Sequence, residues 1–458
     1  MKKIFLFIAI GFLTACSLDI NSQDEISGDN IINTPIKAMG VLSQAYKSLP
    51  VSTEKFTLLT EDLQPNYQVV YKKEYQLIYN WDQRELTKNT ASIWEDYYNA
   101  LINLNAILLS NDNANKDNED WQYIKGNALL LKAYIYFDLL QLYSDRYTPN
   151  ALGIIPTNSL SLETNKRLTQ TETLTEINNL LEEGLSLIKD YPNEKNYFIT
   201  KKGALHIQAQ VALFMRDFSK AEKLAKDLLN DNFKLINTET TYANLWNNQV
   251  ASISSNVYWI YDLQENPNHY LYYQQNAGDY FYINETFSFE EKDIRHNVSQ
   301  YLFKFKASGI NIIDRQLLGK YKTTSEDKTQ KPIVMARNTE TYFILIESLI
   351  EQNKNVEAIQ LLNDFLSNLN QDMLAPNLSQ SELKAIFRLQ KQKEFIGEKI
   401  NFFDLKRWNI DLVRYIPDSN NKAATIKSTD FRWTWPLPAS EMRYNPNATQ
   451  NEGWTIVD

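Results

Sequence analysis

The chain has 458 residues, of which 43% are hydrophobic, so it is long enough to bury a large core and is not a disordered chain. Its formal net charge is −9, and an acidic surface of this kind repels nucleic acid and anionic lipid. Glycine is scarce, at 12 residues, whereas tyrosine reaches 27 and phenylalanine 21, a balance that favours helices over a turn-rich β-sandwich.

Residues 1–15, MKKIFLFIAIGFLTA, have the pattern of a secretory signal peptide. Lys2 and Lys3 precede an apolar run that is too short to span a bilayer. The run ends in Leu-Thr-Ala-Cys, which resembles a bacterial lipobox, and Cys16 is the one cysteine of the sequence. The resemblance implies cleavage before Cys16 and lipidation of that residue, which would anchor the protein stably to a membrane.

Residues 16–33 form a polar segment that we interpret as a lipid-anchored tether. Its acidic residues Asp19, Asp24 and Glu25 resemble the stretch that directs lipoproteins to the cell surface of Bacteroidetes-type bacteria. An ordinary solvated linker explains these residues equally well. We therefore expect an outer-membrane lipoprotein that faces outward. The tether should lead into a single domain over residues 34–458.

Helical spacing of apolar residues governs most of this domain. The segment 118–143 has two apolar stripes, so the predicted helix must pack between neighbouring helices. Residues 201–230 and 339–369 have the small-residue spacing of tetratricopeptide-like hairpins. Further helices are predicted at about 34–49, 89–110 and 171–189. The pattern predicts a mainly α fold built from degenerate tetratricopeptide-like hairpins.

The domain is predicted to have four parts. Residues 34–230 form an N-terminal helical part, and residues 231–336 a loop-rich, ligand-binding elaboration with short β-strands such as 257–261. Residues 337–410 are predicted to be C-terminal helices. Residues 411–458 contain several prolines and are expected to be mostly irregular and wrapped back onto the body.

Motifs for nucleotide binding and esterase chemistry are absent from the sequence, which contains no GxxxxGK[ST], GxGxxG or GxSxG. His206, His269 and His296 lie far apart, so a zinc site is not expected. The acidic segment 112–120 lacks the glycine of an EF-hand loop and is interpreted as a solvated helix connection. We predict no catalytic residue, no cofactor and no metal.

The stretch GEKINFFDLKRWN, residues 397–409, is dense in charged and aromatic residues. On a helix Glu394 and Glu398 share a face, and Asp404 and Arg407 lie one turn apart, so the acids have cationic partners close by. Catalytic acids need access to water and perturbed pKa values, whereas paired acids are typical of structure. We interpret the stretch as structural.

Four segments together resemble the SusD/RagB family of outer-membrane nutrient-binding lipoproteins. QKQKEFIGEKINFFDLKRWN (390–409) and WPLPASEMRYNPNATQNEGW (435–454) resemble its two C-terminal signatures. WEDYYNALINLNAIL (94–108) and GNALLLKAYIYFDLLQLYSDRY (126–147) are similar to two of its N-terminal helices. The segments occur in the family's order and are spread over nearly the whole chain, which implies a SusD-like fold.

The resemblance implies a binding protein rather than an enzyme. Members of this family capture oligosaccharides, and sometimes peptides, for a SusC-like TonB-dependent transporter in the outer membrane. A RagB-like capture of peptides is therefore the alternative ligand class. A surface glycoside hydrolase, which needs two carboxylates across a cleft, and a scaffold of a surface assembly are weaker alternatives.

Two aromatic clusters are the candidate ligand-binding residues, because exposed rings can stack on the apolar faces of sugars. The first cluster precedes the helix predicted at 89–110, and the second lies within the loop-rich part. Alternating tyrosines are equally typical of a half-buried hairpin. The candidate residues are Tyr67, Tyr71, Trp81 and Asp82 in the first cluster, and Tyr270, Tyr272, Tyr273, Asn276 and Tyr280 in the second.

Overall fold

A computed structural model describes most of the chain. The described residues are 32–50, 53–65, 73–110, 115–229, 233–261, 281–307, 311–322, 331–415 and 422–455. Within these ranges, no helix has both the length and the apolar character needed to cross a membrane. The signal peptide, Cys16 and the tether lie outside the described residues.

Helices make up most of the described structure, as predicted. Their bounds are α1 Pro35–Lys47, α2 Thr53–Leu58, α3 Lys73–Tyr79, α4 Gln83–Leu108, α5 Glu119–Tyr143, α6 Gln170–Ile188, α7 Lys201–Phe214, α8 Phe218–Leu228, α9 Glu239–Ala243, α10 Asn248–Ala251, α11 His296–Ser299, α12 Asn338–Glu351, α13 Asn355–Asn368, α14 Gln380–Glu394, α15 Ile400–Trp408 and α16 Ala439–Tyr444. The predicted mainly α fold is confirmed, and helices α2 and α3 are additions that the apolar spacing did not indicate.

Helix α5 is the centre of the N-terminal part. It is buried along nearly its whole length, which confirms that its two apolar stripes are covered by neighbouring helices. It packs against α6 at a glycine pair: a Cβ atom on Gly126 would lie 2.6 Å from the Ile188 side chain, and one on Gly184 2.8 Å from Leu130. The two helices can approach this closely only because both positions lack a side chain.

The two predicted hairpins form as α7–α8 and α12–α13. Each turn contains one residue in the left-handed region, Arg216 in the first and Asn353 in the second, both with φ near 59°. Fully buried alanines, among them Ala221 and Ala358, allow the paired helices to pack closely. Helices α7, α8, α12, α13 and α14 share one apolar cluster, so the hairpins stack into a common core.

The C-terminal end of α5 holds three distant parts of the chain together. Lys406 Nζ donates hydrogen bonds to the carbonyl oxygens of Gln141 and Ser144, at 2.6 and 2.7 Å. The Tyr143 carbonyl accepts from Arg167 Nη2 at 2.6 Å and from Asn451 Nδ2 at 2.8 Å. The last carbonyls of a helix have no partner within the helix, and cations are favourable there. Both C-terminal signatures thus contribute a residue that caps α5.

Within the described ranges, eight strands form three small antiparallel sheets. Their bounds are β1 Leu63–Pro65, β2 Val257–Tyr261, β3 Phe281–Ile283, β4 Gln300–Ala307, β5 Asn311–Leu318, β6 Ile333–Arg337, β7 Leu412–Tyr415 and β8 Lys422–Ile426. The largest sheet has the order β1-β3-β5-β4, and the others are β2-β6 and β7-β8. The predicted strand at 257–261 is confirmed.

The last part of the chain is more regular than expected. It contains the β7–β8 hairpin and helix α16, where mostly irregular structure was predicted from its prolines. Its aromatic residues do pack onto the body: Trp433 and Trp435 are 1% and 2% exposed, and Trp435 N donates to the carbonyl of Leu142 at 2.9 Å. The prediction that this part wraps onto the body is therefore correct, but its secondary structure was underestimated. Short strands and helices were missed because they are too short to show a periodic pattern of apolar residues.

Arg407 of the charged stretch is held by two acids in the interior. Its guanidinium donates to both oxygens of Glu347, at 2.6 and 2.8 Å, and to Asp404 Oδ1 at 2.7 Å. Trp408 Nε1 donates to Glu347 Oε1 at 2.7 Å. Burial alone would raise the pKa of Glu347, but the charges of Arg407 and Lys391 lower that pKa to about 2. The predicted pairing of Asp404 with Arg407 is confirmed.

Glu394 and Glu398 also pair with cations, but with partners from other parts of the chain. Arg337 donates to Glu394 Oε1 at 2.6 Å and to Glu398 Oε1 at 3.1 Å. Arg295 donates to Glu394 Oε2 at 3.1 Å, and Lys320 to Glu398 Oε1 at 2.7 Å. All five side chains are buried. The structural interpretation of these acids agrees with their burial and complete pairing.

We predict that Arg407→Ala lowers the free energy of unfolding by about 3 to 5 kcal/mol, because it leaves Glu347 buried without its main cationic partner. Denaturant titration of the purified protein measures this change. The exposed Arg84 provides the matched control, Arg84→Ala, which should change stability by less than about 0.5 kcal/mol.

Adding Glu347→Gln to Arg407→Ala should recover part of the loss, because the buried negative charge is then removed as well. A double variant as unstable as the sum of both single variants would contradict the assignment of Glu347 as the partner of Arg407.

Candidate functional site: a polar cleft beside the four-stranded sheet

The pairing of β1 with β3 brings together the two points at which segments with predicted ligand residues join the sheet. Gln64 pairs with Tyr282, and Pro65 with Phe281. Segment 66–72, which follows β1, holds Tyr67 and Tyr71, and segment 262–280, which precedes β3, holds the second cluster. The candidates Tyr67, Tyr71, Tyr270, Tyr272, Tyr273, Asn276 and Tyr280 themselves lie outside the described residues. Both segments join the sheet at the same end of the same strand pair.

Aromatic side chains lie along the sheet next to this point. Tyr282 is in register with Leu317 of β5, which in turn is in register with Tyr301 of β4. The Arg315 guanidinium lies 5.2 Å from the centre of the Tyr282 ring, and Lys322 Nζ lies 4.1 Å from that of Tyr301. Cations at these distances are attracted by the ring faces. Tyr282 is buried, whereas Tyr301 is partly exposed.

A cleft of about 800 Å³ opens beside the sheet, which is within the size range of ligand sites. Its wall is mostly polar and carries both signs of charge. Amide, carboxylate and cationic groups line it, from Gln64, Asn284, Gln316, Glu285, Asp314 and Arg315. Such a set offers donors and acceptors in similar numbers, as a ligand rich in hydroxyl groups requires.

Most of the amides in this wall are fixed by the protein itself. Gln64 Oε1 accepts from the Tyr282 hydroxyl at 2.7 Å, and Asn284 Nδ2 donates to the Glu61 carbonyl at 3.2 Å. Gln300 binds the backbone of Phe289 through both ends of its amide, at 3.0 Å each. These bonds hold the wall in one arrangement before any ligand binds.

Gln316 differs from the other amides of the cleft. Its Oε1 atom is buried and has no hydrogen-bond partner within the described part of the chain. A buried acceptor without a partner costs free energy, and such an atom in a cleft is a candidate contact for ligand or water. Residue type and spacing did not indicate Gln316 as a site residue. Its place in the cleft wall depends on the pairing of β5 with β4, which cannot be recognised from neighbouring residues.

Trp81 is not part of an exposed platform, and its prediction as a stacking residue is wrong. The side chain is 1% exposed and packs edge-on against Trp433 at 4.7 Å between ring centres. Its backbone is left-handed, with φ of 55°, and Arg432 Nη1 donates to its carbonyl at 2.6 Å. Tyr75 and Tyr79, which lie between Tyr71 and Trp81 in the sequence, are buried too. A ring within the core has no free face for a sugar.

Asp82 has a structural role as the first residue before α4. Its Oδ1 atom accepts from the backbone N–H groups of Arg84 and Glu85, at 3.1 and 3.0 Å. Carboxylates are favoured at this position because the first N–H groups of a helix lack partners. The expectation that Asp82 binds ligand is replaced by this capping role, which could have been recognised from its position before a long helix.

Metal binding has no assembled site within the described ranges. They contain no cluster of three or more His, Cys, Asp or Glu side chains that could hold a metal. His206 is buried and lies 2.9 Å from Glu340 Oε2 and 2.8 Å from Thr341 Oγ1. These three groups are buried and join α7 to α12 in the core.

Asp62 lies directly behind the cleft wall. Its carbonyl accepts from Asn284 N at 3.0 Å, and its Oδ2 atom accepts from Asn401 Nδ2 at 3.0 Å. Its Oδ1 atom is buried without a hydrogen-bond partner among the described residues. Burial raises the pKa of Asp62 to about 7, because the hydrogen bond from Asn401 and the charge of Arg414 offset only part of the cost of burying the charge.

Comparison with known families gives two matches along the chain. A family model described as starch-binding and associating with the outer membrane matches residues 15–213. The SusD family model, SusD_RagB, matches residues 241–454. Together the two models include all four segments on which the resemblance was based. Among curated proteins, none matches the chain.

Solved structures have the same fold. A SusD superfamily protein from Bacteroides vulgatus superimposes with a TM-score of 0.75 at 19% identity, over 92% of this chain and 100% of that one. A SusD superfamily protein from Bacteroides thetaiotaomicron gives 0.74 at 20% identity, over 91% and 99%. A SusD-like carbohydrate binding protein from B. vulgatus gives 0.71 at 20% identity, over 91% and 97%. At these identities the likeness establishes the fold.

We predict that Asp62→Asn stabilises the protein at pH 8 and has a much smaller effect at pH 5. The folded pKa of Asp62 is about 7, whereas that of an unfolded aspartate is about 3.9. The folded state therefore binds the proton of Asp62 more tightly than the unfolded state does. The stability that this proton contributes is fully present below pH 4 and is lost as pH rises through 7. Asparagine is neutral throughout and avoids that loss.

Unfolding midpoints of wild type and variant between pH 5 and 8 measure the effect. Asp190, whose side chain is 84% exposed, supplies the control Asp190→Asn, which should leave the pH slope unchanged. If Asp62→Asn has the same slope as wild type, the buried carboxyl does not titrate in this range and the prediction is wrong.

Proposed function

The chain belongs to the SusD/RagB family, and we propose that it is a cell-surface lipoprotein that captures oligosaccharides and delivers them to a SusC-like TonB-dependent transporter. The observation that carries this proposal is that both predicted ligand segments join the sheet at the β1–β3 pair, whose residues Gln64 and Tyr282 line the cleft. The description of the matching family model, starch-binding and associating with the outer membrane, supports the ligand class and the location.

The chemistry of the cleft favours a neutral, hydroxyl-rich ligand. Its wall carries Glu285 and Asp314 against Arg315, together with several amides, so no single charge dominates it. Sugar hydroxyls both donate and accept, and they match amides and carboxylates without the cost of burying a charge. A peptide would supply charged side chains or termini, which this wall addresses less well.

The tyrosines of segments 66–72 and 262–280 are proposed to supply the apolar contacts. Segment 66–72 begins, and segment 262–280 ends, at adjacent positions of the sheet. We propose that Tyr67, Tyr71, Tyr270, Tyr272, Tyr273 and Tyr280 stack on sugar rings, with Asn276 as a polar contact. One ring covering roughly 40 Å² contributes about 1 kcal/mol at ~25 cal/mol per Å². Several rings give an affinity that still permits release.

Binding without catalysis is the proposed activity. The acids of the charged stretch are buried and paired, so they are not placed to protonate a glycosidic bond. Glu285 and Asp314 line the cleft, and release of product from a labelled glycan by the purified protein would overturn the proposal in favour of a hydrolase.

We predict that Gln316→Leu weakens oligosaccharide binding about 5- to 10-fold without lowering stability. The change removes one hydrogen bond of about 1 kcal/mol to the ligand, and it also removes a buried acceptor that has no partner in the described protein. Calorimetric titration with the best ligand from a glycan and peptide array, together with thermal unfolding, measures both effects.

The control is Gln360→Leu on the exposed face of α13, which should alter neither quantity. If Gln316→Leu lowers the free energy of unfolding by as much as it lowers the free energy of binding, the residue supports the fold. Titrations at low and high salt distinguish the ligand classes, because binding of a neutral glycan should vary little and that of a basic peptide should fall as salt rises.

We predict that Cys16→Ala leaves the fold intact and abolishes membrane association, because Cys16 is the one cysteine able to carry the lipid. Fractionation of cells that express the full chain measures this, with Ser17→Ala as the control that should remain in the membrane fraction. Recovery of the Cys16→Ala protein in membranes at wild-type levels would overturn the anchor.

A further inference from the structure

A small pocket with a basic lining lies at the C-terminal end of α5, away from the cleft. Four cationic residues line it, and none of its lining residues is an acid. The cations are Arg146, Arg216, Lys406 and Arg407. We call this pocket the basic notch. Its volume of about 20 Å³ has room for one particle of the size of a water molecule or a small ion.

Aromatic rings form the remaining walls of the basic notch. Tyr147 and Phe214 lie 5.9 Å apart between ring centres, and Phe403 of α15 lies in the same lining. Arg216 is exposed and Arg407 is paired with acids, but Arg146 and Lys406 lie against these walls. Apolar walls screen charge less than water does, so the repulsion between these two cations is stronger here than on an open surface.

Two of the cations have donor capacity left. Arg146 Nε donates to the carbonyl of Lys406, while its Nη2 atom is buried and has no partner among the described residues. Lys406 is 4% exposed and donates to two carbonyls, of Gln141 and Ser144, which leaves the third hydrogen of its ammonium group. Arg407, by contrast, is fully engaged with Glu347 and Asp404.

The charge of the basic notch is poorly balanced. Burial, partly offset by the charge of Asp145 and assisted by that of Arg146, lowers the pKa of Lys406 to about 7. Asp145 is exposed, and its Oδ1 atom already accepts from Thr434 Oγ1 at 2.5 Å. A buried ammonium near two guanidinium groups is costly unless an anion accompanies it.

We propose that the basic notch binds a monatomic anion of the size of chloride, held by Arg146 Nη2 and Lys406 Nζ. Such an anion would fill the donor capacity of both groups and offset their repulsion. It would strengthen the contact between the end of α5 and α15, which Lys406 already makes through the helix carbonyls. The small volume favours a monatomic anion over a carboxylate ligand, and the site is independent of the proposed capture function.

Crystals of wild-type protein soaked in sodium bromide test this directly, because bromide replaces chloride and is identified by its anomalous signal. The expected result is a peak within hydrogen-bond distance of Arg146 Nη2 and Lys406 Nζ. A water molecule there with no anomalous signal, in crystals where bromide occupies other cationic sites, would overturn the proposal.

A solution experiment tests the same site without crystals. Replacement of chloride by gluconate at constant ionic strength should lower the unfolding midpoint of wild type by about 2 °C, since gluconate is too large for the pocket. Arg146→Gln should lose this difference, and the control Arg84→Gln, at an exposed position on α4, should keep it. An unchanged chloride dependence in Arg146→Gln contradicts the proposal.

Discussion

A buried carboxylate must be matched by a cation, and the pair Glu394 and Glu398 at the end of α14 meets this requirement with partners from three other segments. Arg337 ends β6 and precedes α12, Lys320 follows β5, and Arg295 precedes α11 and β4. The strands beside the cleft are therefore joined to the helical frame through one helix end. Removing one charge would leave others unpaired in the interior, so the position of the cleft depends on the complete network.

Much of the helical frame could be predicted because a helix is encoded by neighbours three and four positions apart. The hairpins α7–α8 and α12–α13 and the two-sided burial of α5 follow from such local spacing. The partners of the charged residues do not: Arg407 binds Glu347, which is 60 positions away, and Arg337 binds Glu394 at a separation of 57. The charged stretch indicated that its acids would be paired, but only packing determines with which residues.

The sequence indicated two segments that join the sheet beside the candidate cleft, but it did not identify the described residues that line the cleft. Aromatic clusters indicated segments 66–72 and 262–280, which are continuous in sequence with β1 and β3, but residue type does not determine exposure. Trp81 was expected at the surface and lies in the core, because Arg432 and Trp433 from the end of the chain cover it. Gln316, with its buried acceptor, had no pattern to distinguish it from the other glutamines.

The pairing of Gln64 with Tyr282 has a consequence for the order in which the protein folds. The two residues are separated by 218 positions, so closing this contact costs far more chain entropy than forming any of the helical hairpins. Strand β1, with three residues, has no stable partner until β3 and β5 are present. The helices can form early from local contacts, and the binding cleft is expected to be completed late in folding.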